Sequence, residues 1–303
     1  MDKEIRKTIA RLKEEKDAVI LAHYYVDDLV QEIADYVGDS YYLAELATRV
    51  PQKTILFCGV SFMGESAKLL NEDKTVVMAD ADADCPMAHM AEVSRIREVR
   101  EQYPDVAVVC YVNSTARIKA ESDVCVTSSN AVRIVSKLPN RDIFFIPDEN
   151  LGRYVAGQLP EKRFIFNDGF CHVHREIAAG DLISAKELHP DALVLTHPEC
   201  TQEVLALSDF IGSTSQIIDF ATQSDHNEFL VCTENGIFYE LCQKNPGKKF
   251  YPVSQHQCCP NMKRIRVESV LRALETLEPA VSLDCELSEK ARLPLKRMLE
   301  LAK

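Results

Sequence analysis

Three short stretches of this 303-residue chain define its architecture: residues 20–25 read ILAHYY, residues 108–113 read VVCYVN and residues 194–199 read VLTHPE. They lie 88 and 86 residues apart, and each ends an apolar run with two polar side chains at positions i and i+2. The aligned pairs are His23 with Tyr25, Tyr111 with Asn113, and His197 with Glu199. A repeat of this period indicates three similar structural units.

Further landmarks keep the same interval. A small hydroxyl residue follows the first polar residue of each pair by 17 positions, giving Ser40, Ser128 and Thr214. A later apolar run ends near Gly59, Pro147 and Thr233, and a cysteine comes 60 to 62 positions after the first polar residue, giving Cys85, Cys171 and Cys259. Four landmarks that hold one period to within two residues exclude a chance pattern.

Short apolar runs alternate with amphipathic stretches along the whole chain, which is typical of parallel strands joined by helices. We therefore predict an α/β fold of three αβα units with parallel sheets, related by a pseudo-threefold axis. The predicted units are residues 1–103, 104–188 and 189–303, the last including a C-terminal packing helix. Ligands of open α/β sheets bind at the carboxyl ends of the strands, so the active site is predicted at the central junction of the units.

Composition and charge limit the class of protein. The formal net charge of −12 disfavours a nucleic-acid partner, which would require a basic surface. The first 17 residues, MDKEIRKTIARLKEEKD, lack the apolar stretch of a signal peptide, and no run is long enough to span a membrane. The cysteines number eleven, which is odd and too few for a disulfide scaffold, so we expect a cytoplasmic protein whose thiols stay reduced.

The recurring cysteines Cys85, Cys171 and Cys259 predict a metal centre. Buried core thiols have no reason to recur at this interval, whereas three thiolates meeting on an axis form a ligand set with the fourth position open. Catalytic zinc and a four-iron four-sulfur cluster both suit such a set, and the spacing does not separate them. A zinc-dependent hydrolase or lyase and a cluster-bearing sensor of dicarboxylates remain alternatives, although the acid–base pairs argue against a sensor.

The other recurring residues also have two interpretations. A lone histidine at a strand end is more often structural, but three equivalent polar pairs aimed at one axis favour general acid–base chemistry. Ser40, Ser128 and Thr214 fit plain helix N-caps, yet three helix amino ends facing one cavity favour binding of carboxylates or phosphate. The HVH motif at residues 172–174 follows a predicted ligand cysteine and is interpreted as support for the metal ligands.

The motifs AHYY, GDS, YVNS with TSSNA, GFCHVH, HPEC, GSTSQ and CCPNM resemble those of bacterial and archaeal quinolinate synthases, over residues 17–275. That family condenses iminoaspartate with dihydroxyacetone phosphate to give quinolinate, phosphate and water on the route to NAD. The resemblance implies three αβα units around a pseudo-threefold axis and one 4Fe-4S cluster. It also implies that three cysteines hold the cluster and leave the fourth iron open to substrate.

Carried over motif by motif, the resemblance assigns the cluster to Cys85, Cys171 and Cys259. It assigns substrate contacts to eight further residues: His23, Ser40, Tyr111, Asn113, Ser128, His197, Glu199 and Thr214. Tyr25 resembles the mobile active-site tyrosine of the family. Some members carry a CxxCxxC segment that permits a redox-sensitive disulfide, whereas this chain has only Cys258 beside Cys259, so we do not expect such a switch here.

As a hypothesis for catalysis, Glu199 is the main proton shuttle. His23 and His197 transfer protons or hold substrate oxygens, and Tyr25 and Tyr111 polarise a carbonyl. Ser128, Asn113 and Tyr111 anchor carboxylates, while Ser40 and Thr214 contact phosphate or a carboxylate. The expected partners are the two small-molecule substrates and the enzyme that supplies iminoaspartate.

Overall fold

The computed structural model describes residues 3–303, and these form three four-stranded sheets in which every strand pairing is parallel. In every sheet the first and third strands along the chain lie in the centre and the second and fourth lie at the edges. The same strand order in all three sheets confirms the α/β fold of three αβα units. The first two residues of the predicted first unit lie outside the described residues.

The first sheet is built from β1 (Ala18–His23), β2 (Tyr36–Gly38), β3 (Thr54–Cys58) and β4 (Thr75–Met78). Its helices are α1 (Lys3–Glu15), α2 (Asp28–Ile33), α3 (Ser40–Ala47), α4 (Ser61–Leu70) and α5 (Val93–Gln102), with a 3₁₀ turn at Pro86–His89. All six residues of β1 are buried, because helices cover both faces of the sheet.

The second sheet is built from β5 (Ala107–Tyr111), β6 (Val124–Val126), β7 (Asp142–Ile146) and β8 (Arg163–Phe166). Its helices are α6 (Ala116–Ala120), α7 (Ala131–Lys137), α8 (Glu149–Gln158), α9 (His172–Arg175) and α10 (Ala179–Leu188). The central strand β5 is again buried along its whole length.

The third sheet is built from β9 (Leu193–Thr196), β10 (Phe210–Ile211), β11 (Glu228–Cys232) and β12 (Lys249–Pro252). The helices of this part are α11 (Gln202–Leu205), α12 (Thr214–Gln223) and α13 (Ile237–Lys244), followed by a 3₁₀ turn at Met262–Arg264. Two further helices, α14 (Val267–Thr276) and α15 (Cys285–Leu301), complete the chain.

The two C-terminal helices pack away from the third sheet. Helix α14 lies against α1, α2 and β3, and α15 lies against α4, α6, α7 and β6. One continuous apolar core includes the first and second sheets together with both helices, whereas separate clusters line the third sheet. The sequence placed these helices in the third range, and the structure shows that α15 joins the first two units. The boundaries of the three units stay a prediction.

The three predicted ligand cysteines lie in loops beyond the fourth strand of each unit and not directly at the strand ends. Cys85, Cys171 and Cys259 follow the last residue of β4, β8 and β12 by seven, five and seven positions. Because the fourth strand of each unit is an edge strand, the chain needs a loop to return over the carboxyl ends of the central strands.

No helix within residues 3–303 has both the length and the apolar character to cross a membrane.

Candidate functional site

A cavity that is partly open to solvent lies where the carboxyl ends of the central strands of the three sheets meet. Every residue that the sequence singled out as a site residue lines it: His23, Tyr25, Ser40, Cys85, Tyr111, Asn113, Ser128, Cys171, His197, Glu199, Thr214 and Cys259. Each of the three units contributes to this wall. The individual roles of these residues stay predictions.

Two of the repeat-equivalent polar pairs form the same local turn. The backbone N–H of Tyr25 donates to Nδ1 of His23 at 3.2 Å, and the backbone N–H of Glu199 donates to Nδ1 of His197 at 3.3 Å. Burial lowers the pKa of both imidazoles to about 3, so both rings are neutral at neutral pH. A neutral ring that accepts at Nδ1 carries its proton at Nε2, and in His197 this proton is donated to Ser128 Oγ at 3.2 Å.

Glu199 is the one carboxylate among the predicted catalytic residues, and only 3% of its surface is exposed. Its Oε2 lies 2.8 Å from Nδ1 of His174 and 3.4 Å from Nδ1 of His197. Burial disfavours the charged form, but His174 and Tyr111 favour it more strongly and hold the pKa of Glu199 below its ordinary value. Oε1 is buried and has no hydrogen-bond partner among residues 3–303, so it is available to a ligand.

The Tyr25 hydroxyl belongs to a hydrogen-bonded chain that contains groups from all three units. It bonds to Oγ1 of Thr214 at 2.8 Å and to Oγ1 of Thr233 at 2.9 Å. Thr233 in turn bonds to Nε2 of His174 at 2.9 Å, and His174 faces Glu199. Burial raises the pKa of Tyr25 well above its ordinary value, so its hydroxyl keeps its proton.

The backbone beside Tyr25 is held by the third unit. Nζ of Lys263 donates to the Tyr25 carbonyl at 2.8 Å and lies 3.3 Å from Oε1 of Glu234. Gly236 packs so closely that a Cβ atom there would lie 2.4 Å from the Tyr24 carbonyl oxygen and 2.6 Å from Tyr25 Cα. Only glycine permits this approach, which fixes the loop after β1 against the third unit.

Buried carboxylates hold two of the cysteine loops. Oδ2 of Asp148 accepts the backbone N–H of Cys171 at 3.1 Å, and Oε1 of Glu234 accepts that of Cys259 at 3.0 Å. Asp148 and Glu234 are 86 residues apart, so they occupy equivalent positions in the second and third units. The two loops are therefore fixed by the same interaction. In each, a buried carboxylate accepts the backbone N–H of the cysteine and so orients the residue that carries the thiol.

The first unit holds its cysteine differently. Val60 occupies the position equivalent to Asp148, and the nearest carboxylate along the chain is that of Asp84, directly before Cys85. Asp84 is itself bound by Nε2 of His89 at 2.7 Å and by the Ser61 hydroxyl.

Burial disfavours the charged form of all three thiols. It raises the pKa of Cys85 to about 12 and that of Cys259 to about 11, and it raises the pKa of Cys171 well above its ordinary value. Three thiolates in this cavity therefore require a bound cation to compensate their charge.

The arrangement of the sulfur atoms tests which metal group fits. Three thiolates on one tetrahedral zinc ion lie about 3.8 Å apart, given Zn–S bonds of about 2.3 Å. Among residues 3–303, the ligand atoms that all lie within 4.8 Å of one another belong to Cys171, His174 and Glu199, and the three cysteine sulfurs form no such set. As placed, the three sulfurs therefore do not support the alternative of one zinc ion on three cysteines.

The recurring hydroxyl residues are not N-caps. Ser40 and Thr214 are the first residues of α3 and α12, and the caps are the preceding Asp39 and Ser213. Ser128 lies three residues before α7 begins, in a turn. The hydroxyls of Ser40 and Thr214 therefore line the cavity beside the free N–H groups of a helix amino end, as a site for anions requires.

Four residues of this arrangement were missed from the predicted site: Asp148, His174, Thr233 and Glu234. His174 was interpreted as a supporting residue of the HVH motif, but it contacts Glu199 and stacks on His197 with ring centroids 4.6 Å apart. Thr233 appeared only as a landmark of the repeat, although its position at the end of β11 was a signal. The 86-residue spacing of Asp148 and Glu234 was a further signal.

Fold and site together define a three-unit α/β protein with a central cavity that combines acid–base groups with three cysteines. Residues 7–300 match the family model described as NadA, Quinolinate synthetase A protein. The chain belongs to the quinolinate synthase family.

Curated relatives agree over nearly the whole chain. A quinolinate synthase of Fusobacterium nucleatum is 50% identical over 298 residues, covering 98% of this chain and 99% of the relative. One from Caldicellulosiruptor bescii is 49% identical with 98% coverage of both chains, and one from Aquifex aeolicus is 46% identical with 99% and 95% coverage.

Proposed function

We propose that this chain condenses iminoaspartate with dihydroxyacetone phosphate to form quinolinate, phosphate and water for NAD biosynthesis. Family membership and the name carried by full-length relatives support this activity. The observation that carries the proposal is the shared cavity: one cysteine from each unit and the Glu199 network line the same space.

The proposed cofactor is one 4Fe-4S cluster on Cys85, Cys171 and Cys259, with the fourth iron free of protein ligands. The convergence of one cysteine from each unit on the cavity and the need for a compensating cation both suit it. When bound, such a cluster supplies a Lewis acid to a substrate oxygen. The Asp148 and Glu234 carboxylates hold two of the cysteine loops ready for it.

Glu199 is the proposed general base and proton carrier. Enolisation of the triose and the later dehydration both need a base near the substrate carbon, and Glu199 presents an unpartnered Oε1 in an ionised carboxylate. His174 and Thr233 connect Oε2 of Glu199 to the Tyr25 hydroxyl through hydrogen bonds. This network orients the carboxylate and links it to the hydroxyl proton of Tyr25.

The neutral rings and the hydroxyls are proposed as donors to substrate oxygens. His23 and His197 carry protons at Nε2 and stay uncharged. They are therefore able to donate to a substrate oxygen without forming ion pairs with the substrate carboxylates. Tyr25 and Tyr111 keep their protons because burial and, at Tyr111, the charge of Glu199 raise their pKa values, so both are able to polarise a carbonyl.

Anchoring of the anionic groups is assigned to the remaining predicted residues. Asn113 and Ser128 bind substrate carboxylates together with Tyr111, whereas Ser40 and Thr214 contact phosphate or a carboxylate at the amino ends of α3 and α12. The proposed partners are these small molecules and the enzyme that forms iminoaspartate, with no nucleic acid and no membrane. A cytoplasmic location suits an exposed iron and reduced thiols.

The role of Glu199 is tested with Glu199→Gln and the matched control Glu203→Gln, an exposed glutamate four residues further on. Quinolinate is measured after the cluster-loaded enzyme meets dihydroxyacetone phosphate and iminoaspartate generated from oxaloacetate and ammonia. We expect kcat to fall on the order of 10² to 10⁴ in Glu199→Gln, as for other general bases, with unchanged iron and sulfide. Full turnover by that variant would remove Glu199 from the proton transfers.

A further inference from the structure

A second group of metal-ligating side chains lies inside the cavity and includes only one of the three predicted cluster cysteines. The Cys171 sulfur, a ring nitrogen of His174 and a carboxylate oxygen of Glu199 all lie within 4.8 Å of one another. Ligand atoms around one tetrahedral zinc ion lie about 3.4 to 3.8 Å apart, so small side-chain rotations bring the three onto one ion.

One atom of this group has no hydrogen-bond partner among residues 3–303, although it is buried. It is Oε1 of Glu199, a residue that is 3% exposed, while Oε2 of the same carboxylate lies 2.8 Å from Nδ1 of the buried His174. A buried polar atom without a partner is costly, and a cation held by Glu199 and His174 satisfies it.

The surroundings of His174 match those of a metal-binding histidine. Its Nε2 is bound to Oγ1 of Thr233 at 2.9 Å, which turns Nδ1 toward Glu199. A hydrogen bond to the other ring nitrogen is the usual device that fixes the orientation of a metal-bound imidazole. A set of thiolate, imidazole and carboxylate ligands binds zinc in preference to magnesium or calcium.

We propose that the chain without its cluster binds one thiophilic divalent ion of the zinc class through Cys171, His174 and Glu199. Cys171 binds as a thiolate and releases its thiol proton to solvent, and water fills the fourth position. Since Cys171 is also the proposed cluster ligand of the second unit, the ion and the cluster exclude each other. The ion site itself is independent of the proposed function. The competition between the ion and the cluster rests on the proposed function, because it assumes that Cys171 is a cluster ligand.

Cobalt(II) is the probe for the ion site, because a tetrahedral thiolate complex has intense visible bands and a sulfur-to-cobalt charge-transfer band. The full-length chain, stripped of metal and kept reduced without air, is titrated with cobalt, and circular dichroism confirms the fold of every variant. We expect one cobalt per chain, loss of the charge-transfer band in Cys171→Ser, and affinity lower by about tenfold or more in His174→Gln and Thr233→Val.

Matched controls separate this site from a site built on the three cysteines. Cys85→Ser, Cys259→Ser and His172→Ala are expected to keep the cobalt spectrum and the parent affinity. Loss of the charge-transfer band in Cys85→Ser or Cys259→Ser would overturn the proposal, and so would a weak octahedral spectrum in the parent.

Competition is measured by supplying iron and sulfide to the chain with and without bound zinc. We expect zinc to prevent cluster assembly and a zinc chelator to restore it, whereas a full cluster with zinc still bound would contradict the exclusion. A chain that binds cobalt as expected but assembles no cluster even without zinc contradicts the proposed cofactor and leaves the ion site standing.

Discussion

Neutral imidazoles are what distinguish this cavity from an ordinary acid–base site. His23 and His197 both accept a backbone N–H at Nδ1 from the residue two positions later, and burial keeps both uncharged. Repetition of the turn in two units means that the tautomer is set by the backbone and not by the ligand. Glu199 is thus the ionised side chain beside these neutral rings, and His174 orients its carboxylate.

The state of His23 has a consequence for stability. The unfolded chain protonates this residue near its ordinary pKa of 6.5, whereas the folded chain does so only near 3. Between these values the unfolded chain binds more protons, so the free energy of unfolding falls as the pH decreases from about 6.5 toward 3, and His23 has no effect above that window.

Urea unfolding of the parent, His23→Gln and the exposed control His226→Gln at several pH values across this window measures the effect. The pH slope of His23→Gln is expected to be smaller than that of the parent by up to about one proton, while His226→Gln keeps the parent slope. Equal slopes in the parent and His23→Gln would show that His23 is protonated in the folded chain.

Loops, more than strands or helices, place the reactive groups. The cysteines are reached by loops of five to seven residues, and Asp148 and Glu234 tie two of those loops to the chain after β7 and β11. The loop carrying Tyr25 is clamped by Lys263 and Gly236 from the third unit. The two cysteine loops are therefore held within their own units, whereas the position of the Tyr25 loop depends on contacts between units.

Gly236→Ala tests the clamp on the Tyr25 loop, because the added Cβ meets backbone at 2.4 Å and 2.6 Å. We expect a loss of about 1–3 kcal/mol in the free energy of unfolding, together with a lower kcat. The control is Gly157→Ala in α8, where a Cβ meets nothing within 4 Å.

Gly157→Ala is expected to raise the free energy of unfolding by about 0.5–1 kcal/mol, because alanine is the better helix former. Urea unfolding and turnover of both variants give the comparison. Unchanged stability and turnover in Gly236→Ala would mean that the loop tolerates displacement.

The three units are joined unequally. Helix α15 packs on helices of the first and second units, and both share one apolar core with it, whereas the third sheet is lined by its own clusters. Polar contacts also join the first and third units, such as those of Gln31 with the Gly236 carbonyl and of Lys263 with the Tyr25 carbonyl.

Two leucines in α15 test its contribution. Leu295 is fully buried and Leu293 is 68% exposed, only two positions away. Leu295→Ala is expected to lower the free energy of unfolding by about 2–5 kcal/mol, and Leu293→Ala to change it by no more than about 0.5 kcal/mol. Denaturant unfolding measures both changes in the free energy of unfolding. Equal losses of that free energy in the two variants would contradict the packing described for α15.

Periodicity in the sequence predicted the three-unit fold and the twelve residues around the cavity, because equivalent positions of repeated units converge at one end of each sheet. It did not predict the roles of Asp148 and Glu234, since the first unit has Val60 there and the two carboxylates differ in length. His174 has no equivalent in the other units, so no repeat marked it. The packing of α14 and α15 outside the third unit depends on tertiary contacts that periodicity does not encode.

The central claim is that the three units together hold one 4Fe-4S cluster in the cavity. Iron, acid-labile sulfide and zinc per chain, measured on protein purified without air, test it most directly. We expect about four irons and four sulfides in the parent and in Cys258→Ser, and loss of the cluster in Cys259→Ser. One zinc without sulfide in the parent, or equal loss from Cys258→Ser and Cys259→Ser, would contradict the account.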